Sequence, residues 1–388
     1  VLAGGVAPQE ANKRQSANRI RRFLVQVLPT WQRYCSANYQ RNTLLDAASI
    51  LPHLSALLFL SPPMKNRFLV LLATLAASLT SPELRAQNPI IRDVFTADPA
   101  PLVYRDTLFL YTGHDTASVS ETNYKMPDWR IYSTTDMVHW KDYGKRLSVK
   151  TFAWATGDAY AAQCVEHNGK FYWFAATFQR NADPTNKVGN RGAAIGVAVS
   201  DRPTGPFRDA IGKPLISNDM TLDQKHGWDD IDPTVFIDDD KQIYLYWGNG
   251  SCRWVKLKDN MTELASPITV FKPKNYIEGP WVYKRKKLYY LVYASAGTKP
   301  EMIEYCTAPT ATGPWTYQGI IQGNVPGSGT THPGIVDYKG KSYFFYHNGS
   351  LPDGGNFRRS ICVDYMYYNP DGTIKPIVQT TKGVAPVK

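Results

Sequence analysis

The chain of 388 residues, 43% apolar and 13% aromatic, is long enough to bury a substantial core. Its formal charge of +11 is unevenly placed: ten of the 44 Lys and Arg, but only three of the 33 Asp and Glu, fall in residues 1–86. The remainder is close to balanced, so the basic total does not point to a nucleic-acid partner.

No Met precedes Met64, and Met64 opens a stretch laid out as a secretory signal. Lys65 and Arg67 supply the positive start, Phe68 to Leu79 the apolar core, and Leu84-Arg85-Ala86 a cleavage site before Gln87. The apolar run is too short to span a bilayer, which takes about 20 residues, and no Cys follows the cut to carry a lipid. Residues 1–63 therefore read as an upstream extension outside the working protein, with a basic or organelle-targeting arm as the alternative. The expectation is a signal peptide over 64–86 and a domain over 87–388. The mature form would be periplasmic or extracellular, without membrane insertion.

Five later stretches repeat one design: an apolar run, a polar turn, then an aromatic alternating strand. They begin ADPAPLVY at Ala97, YAAQCVEH at Tyr160, IDPTVFID at Ile231, IEGPWVYK at Ile277 and THPGIVDY at Thr331. Each predicts a β-hairpin. Each is followed by a further strand pair, with turns such as TGPF and TGPW marking its outer end. Four strands per unit and five units predict an all-β fold, a five-bladed β-propeller. Longer inserts at 116–127, 179–190 and 216–230 become loops at one rim. Cys164, Cys252, Cys306 and Cys362 are even in number, which allows disulfides in an exported protein. The last three hold similar places in successive repeats, too far apart to bridge, so buried thiols are the favoured reading.

Equivalent positions in a radial array point at one axis. The second positions of the five hairpins are Asp98, Ala161, Asp232, Glu278 and His332. A single Asp-Pro at a strand start is ordinary turn chemistry. Three carboxyl groups recurring at the innermost strand start are not, because charges crowded on an axis repel and are costly to desolvate unless something uses them. Three carboxyl groups and a histidine converging on one axis are how a catalytic site is built. HExxH and paired-Cys zinc motifs are absent, and Asp238-Asp239-Asp240 reads as a solvated hairpin turn.

From about Asn88 to the C-terminus the chain resembles glycoside hydrolase family 43, the five-bladed propeller enzymes acting on xylans and arabinans. The resemblance rests on ADPAPL, GDAYAAQCVEHNGKFYWF, WDDIDPTVFIDDD, YIEGPW and FRRSICVDYMYYNPDGTI taken together. It implies an inverting hydrolase. Asp98 matches its general base, Glu278 its general acid, and Asp232 the third carboxylate that orients the acid and raises its pKa. An acid beside another carboxylate does hold its proton to higher pH. In an inverting enzyme the acid and base stand roughly 6.5–9.5 Å apart to admit water, against about 5 Å in a retaining one.

The resemblance also implies that Arg359 hydrogen-bonds the sugar. It places His332 on the pocket floor, where some relatives hold a calcium ion through water; no cofactor is otherwise required. Trp154, Tyr160, Trp247 and Trp281 are candidates for stacking on sugar faces, with packing between blades as the competing role. Two departures stand out: Tyr160 replaces a frequent Trp, and Gly279 a frequent Ala. The expected substrate is a xylan- or arabinan-derived oligo- or polysaccharide losing terminal α-L-arabinofuranosyl or β-D-xylosyl units. An endo-acting arabinanase or xylanase and a non-catalytic carbohydrate-binding propeller are the alternatives.

Overall fold

The structure is a computed structural model and describes residues 87–180, 192–221, 227–295 and 300–388. The extension and signal segments expected at 1–63 and 64–86 lie outside the described residues, as do most of the 179–190 insert and part of 216–230. No helix among the described residues is long and apolar enough to cross a membrane.

Five antiparallel sheets follow one another along the chain. The first comprises β1 (Phe95–Tyr104), β2 (Thr107–Asp115), β3 (Asp128–Thr134) and β4 (Lys141–Ser148). The second has β5 (Ala155–Thr156), β6 (Ala162–His167), β7 (Lys170–Gln179), β8 (Ala193–Ser200) and β9 (Arg208–Asp209), with short β5 pairing the far end of β7. The third comprises β10 (Thr234–Ile237), β11 (Ile243–Trp247), β12 (Cys252–Leu257) and β13 (Thr269–Phe271). The fourth contains β14 (Tyr276–Arg285), β15 (Leu288–Ser295), β16 (Met302–Ala308) and β17 (Thr316–Gln322). The fifth has β18 (Gly334–Tyr338), β19 (Lys341–Asn348) and β20 (Ser360–Met366). This is the expected five-bladed β-propeller, with one difference in the last blade.

That blade has three strands, not four. Among the described residues the stretch after β20 forms no further strand, and Tyr368 and Ile374 make an isolated bridge. Beside β20 runs the segment that leads into β1. The Ile90 N–H donates to the Ile361 carbonyl (2.8 Å) and the Thr96 N–H to the Arg359 carbonyl (2.8 Å). Asn88 donates to the Val363 carbonyl and accepts from its N–H. The ring is thus closed by the chain arriving at the first blade, which satisfies an edge that would otherwise be open.

Strand alternation explains how the blades pack. On β11, Ile243, Leu245 and Trp247 join a core shared with Phe174, Ile195 and Val197 of the second sheet. Tyr244 and Tyr246, facing the other way, pack with Val282, Leu291 and Tyr293 of the fourth. All of β11, IYLYW, is buried on both faces, so its run is apolar or aromatic. Cys252, Cys306 and Cys362 occupy the third strands β12, β16 and β20 and, like Cys164, are buried free thiols.

The innermost strands carry an irregularity that bears on chemistry. Asp98 and Asp232 have left-handed backbones (φ +54° and +59°), each just before a Pro. Asp is among the few residues that enter this region readily, and strain of this sort concentrates at functional sites. In the fourth blade the left-handed residue is Gly279 (φ +62°), also before a Pro. Ala100 pairs with Tyr111 and Trp281 with Val292, so Glu278 sits one residue farther from its hairpin turn than Asp98 does. Register shifts on both sides of Glu278 absorb the extra residue. Counted back from the turns, Gly279 rather than Glu278 holds the place of Asp98, and the bulge is what returns Glu278 to the cavity.

Candidate active site

All five second-position residues, Asp98, Ala161, Asp232, Glu278 and His332, line one cavity of about 530 Å³. Convergence on the axis, inferred from the repeat, is therefore realised. The inserts supply part of the wall: Tyr124 and Met126 come from 116–127 and Trp228 from 216–230. Tyr160 joins them, meeting the edges of Trp228 (5.1 Å) and Phe178 (5.6 Å) ring to ring.

Asp98 lies against positive charge. The Arg359 Nη1 donates to its Oδ1 at 3.1 Å. Arg359 is itself buried and held by Asp115, whose Oδ2 accepts from Nε at 2.9 Å and whose Oδ1 accepts from Nη2 at 3.0 Å. The ring of Tyr124 lies 4.7 Å from the guanidinium. Burial alone would raise Asp98, but the Arg359 guanidinium chiefly outweighs it and holds the carboxyl below the usual carboxylate range. His347 works as a neutral brace. Its Nδ1 accepts the Asp98 backbone N–H (3.2 Å), which leaves Nε2 carrying the proton toward the Thr330 carbonyl (3.1 Å). Burial, then Arg359, pushes this imidazole down to about 3.

The opposite wall is acidic. Asp232 is buried, and its Oδ2 accepts the Gly279 N–H at 2.9 Å. Burial, then the charges of Glu278 and Asp98, pushes Asp232 well above the ordinary value, with the Gly279 bond and Arg359 offsetting only part. Glu278 is half-buried and accepts a hydrogen bond from Asn249. A fourth carboxyl, Glu301, also lines the cavity and is 5% exposed. Burial, then Glu278, pushes it up to about 9, with Asp232 adding to the rise.

His332 is half-buried beside Gly279, where a Cβ would come within 3.0 Å of Nδ1. Burial, partly offset by Asp98, lowers its pKa, so the ring is neutral. Calcium takes six to eight oxygen ligands. The groups around Asp98 are instead two imidazoles and a guanidinium, and among the described residues no three His, Cys, Asp or Glu are grouped to hold a metal. The residues do not fit a directly ligated calcium ion.

Three of the aromatic candidates are corrected. Trp247 is fully buried between the second and third blades, with Nε1 donating to Asp230 (2.7 Å). Trp281 is 6% exposed and belongs to the core of the first, second, fourth and fifth blades. Trp154 packs on Phe152 outside the cavity, its Nε1 donating to Asp209 (3.2 Å). All lie on strands or strand ends whose alternation gives a face but not its neighbour. Tyr160 alone of the four lines the cavity. Tyr124 and Trp228 sit in inserts flagged as rim loops, whereas Glu301, Asn249 and His347 carry no repeated signature that would have marked them.

A sequence model of the glycosyl hydrolases family 43 matches residues 86–374. The chain belongs to that family. A β-D-galactofuranosidase from Aspergillus niger is 31% identical over 358 residues, covering 89% of this chain and 97% of the relative. An α-L-arabinofuranosidase structure from Clostridium thermocellum is similar at 34% identity and TM-score 0.62, over 76% of this chain and 98% of that one. A β-xylosidase/α-arabinofuranosidase from a compost metagenome, solved with xylotriose in a calcium-free form, is similar at 27% identity and TM-score 0.65, over 77% and 100%. This family 43 protein is a glycoside hydrolase.

Proposed function

We propose that this enzyme is an exported, inverting exo-glycosidase that removes terminal α-L-arabinofuranosyl or β-D-xylosyl units from xylan- or arabinan-derived chains. The observation that carries the reading is the opposite treatment of carboxyl groups across one cavity. Asp98 is held ionised by Arg359, while burial and like charge push Asp232 and Glu301, beside Glu278, toward their protonated forms. A base and an acid at the same pH require that split.

In this mechanism Asp98 takes a proton from water as the water oxygen bonds to the anomeric carbon. Glu278 gives its proton to the glycosidic oxygen as the bond between that oxygen and the anomeric carbon breaks. The sugar leaves inverted, with Asp98 protonated and Glu278 ionised, and solvent resets both. Asp232 disfavours the ionised form of Glu278 by like-charge repulsion and holds the Gly279 N–H, fixing the backbone next to the acid. Arg359 serves both Asp98 and the sugar hydroxyls, and His332 forms floor. Tyr124, Tyr160 and Trp228 line the cavity and offer aromatic surface to a sugar face. Relatives acting on arabinofuranosyl and xylosyl units support the sugar class.

The test pairs the wild-type enzyme with Glu278→Gln on aryl α-L-arabinofuranoside and aryl β-D-xyloside, reading the first-formed anomer by NMR. Hydrolysis by the parent with an inverted product is expected, together with a Glu278→Gln loss that shrinks as the aryl leaving group becomes more activated. Cleavage of neither substrate would overturn exo action, and a retained anomer would overturn the base assignment. Export rests on the Met64–Ala86 pattern. Sequencing the secreted protein should find a new N-terminus near Gln87; a product that keeps residues 64–86 would refute it.

A further inference from the structure

The mechanism above uses three carboxyl groups, yet a fourth lines the same cavity. Glu301 immediately precedes β16, and its backbone N–H donates to the Gly329 carbonyl at 3.0 Å. Its Oε2 accepts the Thr331 N–H at 3.1 Å, so the side chain is tied to the residue next to His332. Among the described residues no protein group hydrogen-bonds the other oxygen, Oε1. Nor is that oxygen sealed away, since it is not among the enclosed polar atoms that lack a partner. A carboxyl that is 5% exposed, anchored by one oxygen and open to the cavity by the other, is costly to keep unless a ligand completes it.

We propose that Glu301 is a substrate-binding residue, its free oxygen hydrogen-bonding a hydroxyl of the terminal sugar. This deepens the exo-glycosidase reading and rests on it. The anchored oxygen acts as the acceptor, and the open one carries a hydroxyl proton that it donates to the sugar. Burial and the neighbouring Glu278 favour this neutral form. A neutral acid adds no further charge beside Glu278, and it offers the donor that a crowd of carboxylates lacks. Gln reproduces the pattern, with the amide oxygen accepting from Thr331 and the NH₂ donating. Ala reproduces none of it.

The experiment compares wild type, Glu301→Gln and Glu301→Ala on the aryl glycoside that wild type prefers and on its monodeoxy analogues. Glu301→Ala should lose about 10- to 100-fold in kcat/KM on the parent sugar, the range for removing a hydrogen bond to a buried partner. Glu301→Gln should stay near wild type. On one deoxy analogue, wild type and Glu301→Ala should become equal, because the hydroxyl that Glu301 reads is gone. A purely structural role would depress every substrate alike and lower the melting temperature, and that result overturns the proposal. So does Glu301→Ala that keeps full activity, or a loss that no deoxy analogue erases. If wild type cleaves neither aryl glycoside, the exo-glycosidase reading fails first and takes this one with it. Activity in wild type with no effect at Glu301 fails this proposal alone.

Discussion

Two walls of one cavity hold the same functional group in opposite states. On one, Asp98 faces Arg359, a buried cation locked by Asp115, with His347 bracing its backbone. On the other, Asp232, Glu278 and Glu301 crowd together, and burial with mutual repulsion raises the two most enclosed of them. Residue type cannot distinguish base from acid here, since all four are carboxylic acids. The neighbours decide, and they come from different blades: Arg359 from the fifth beside Asp98 of the first, and Asp232 from the third beside Glu278 of the fourth.

The strongest way to break this contrast is to neutralise each wall in turn. Asp98→Asn and Glu278→Gln should each cost about 10²–10⁴-fold in kcat on an unactivated glycoside, the usual worth of general acid–base catalysis. With a strongly activated aryl leaving group, Glu278→Gln should recover much of its loss and Asp98→Asn none. Equal recovery in both would show that the walls do not divide the work.

A second test exchanges a core Trp for a cavity Trp. Trp247→Ala should destabilise the fold by about 3–5 kcal/mol, measured by denaturant unfolding. Trp228→Ala, 42% exposed in the wild type, should leave the unfolding midpoint in place and raise KM. The reverse pattern would mean that the aromatic lining does not serve the sugar.

Smaller effects sharpen the electrostatics. Replacing Arg359 with Met removes the main influence that lowers Asp98, so the base takes up its proton at higher pH. The acidic limb of the kcat/KM profile should therefore move upward, and an unmoved limb would show that Arg359 does not hold Asp98 ionised. Glu301 has the opposite sign. Its carboxyl sits up at about 9 in the fold against 4.5 ordinarily, so the folded state keeps a proton that the unfolded chain gives up. That contribution to stability is complete below about 4.5 and is lost as pH rises toward 9. Glu301→Gln should flatten the fall in melting temperature across this window. The smallest effect expected is from a chelator. Because Arg359 already supplies positive charge beside Asp98, EDTA is expected to leave kcat/KM unchanged, and a marked loss would place a cation in the site.

Much of this was legible without coordinates, for a local reason. Hairpins declare themselves through alternation and turn residues within about ten positions, so five repeats, their strand starts and the convergence of Asp98, Asp232, Glu278 and His332 could be read directly. The rim inserts holding Tyr124 and Trp228 were marked by their length. Local signals fail where a partner is remote. Alternation placed Trp247 on one face of β11 without revealing that the face meets the second blade. The bulge at Glu278 and the closure of the ring beside β20 depend on pairing register, which no single strand encodes.

The order of strands, the number of blades and the axial carboxyl groups were thus determined by the sequence alone, because each follows from chemistry within one hairpin. Which carboxyl is pushed toward its protonated form, which Trp lines the cavity and that Glu301 lines it too were decided only in the tertiary structure. Protonation and exposure are set by groups from other blades, and only folding brings those within a few ångströms.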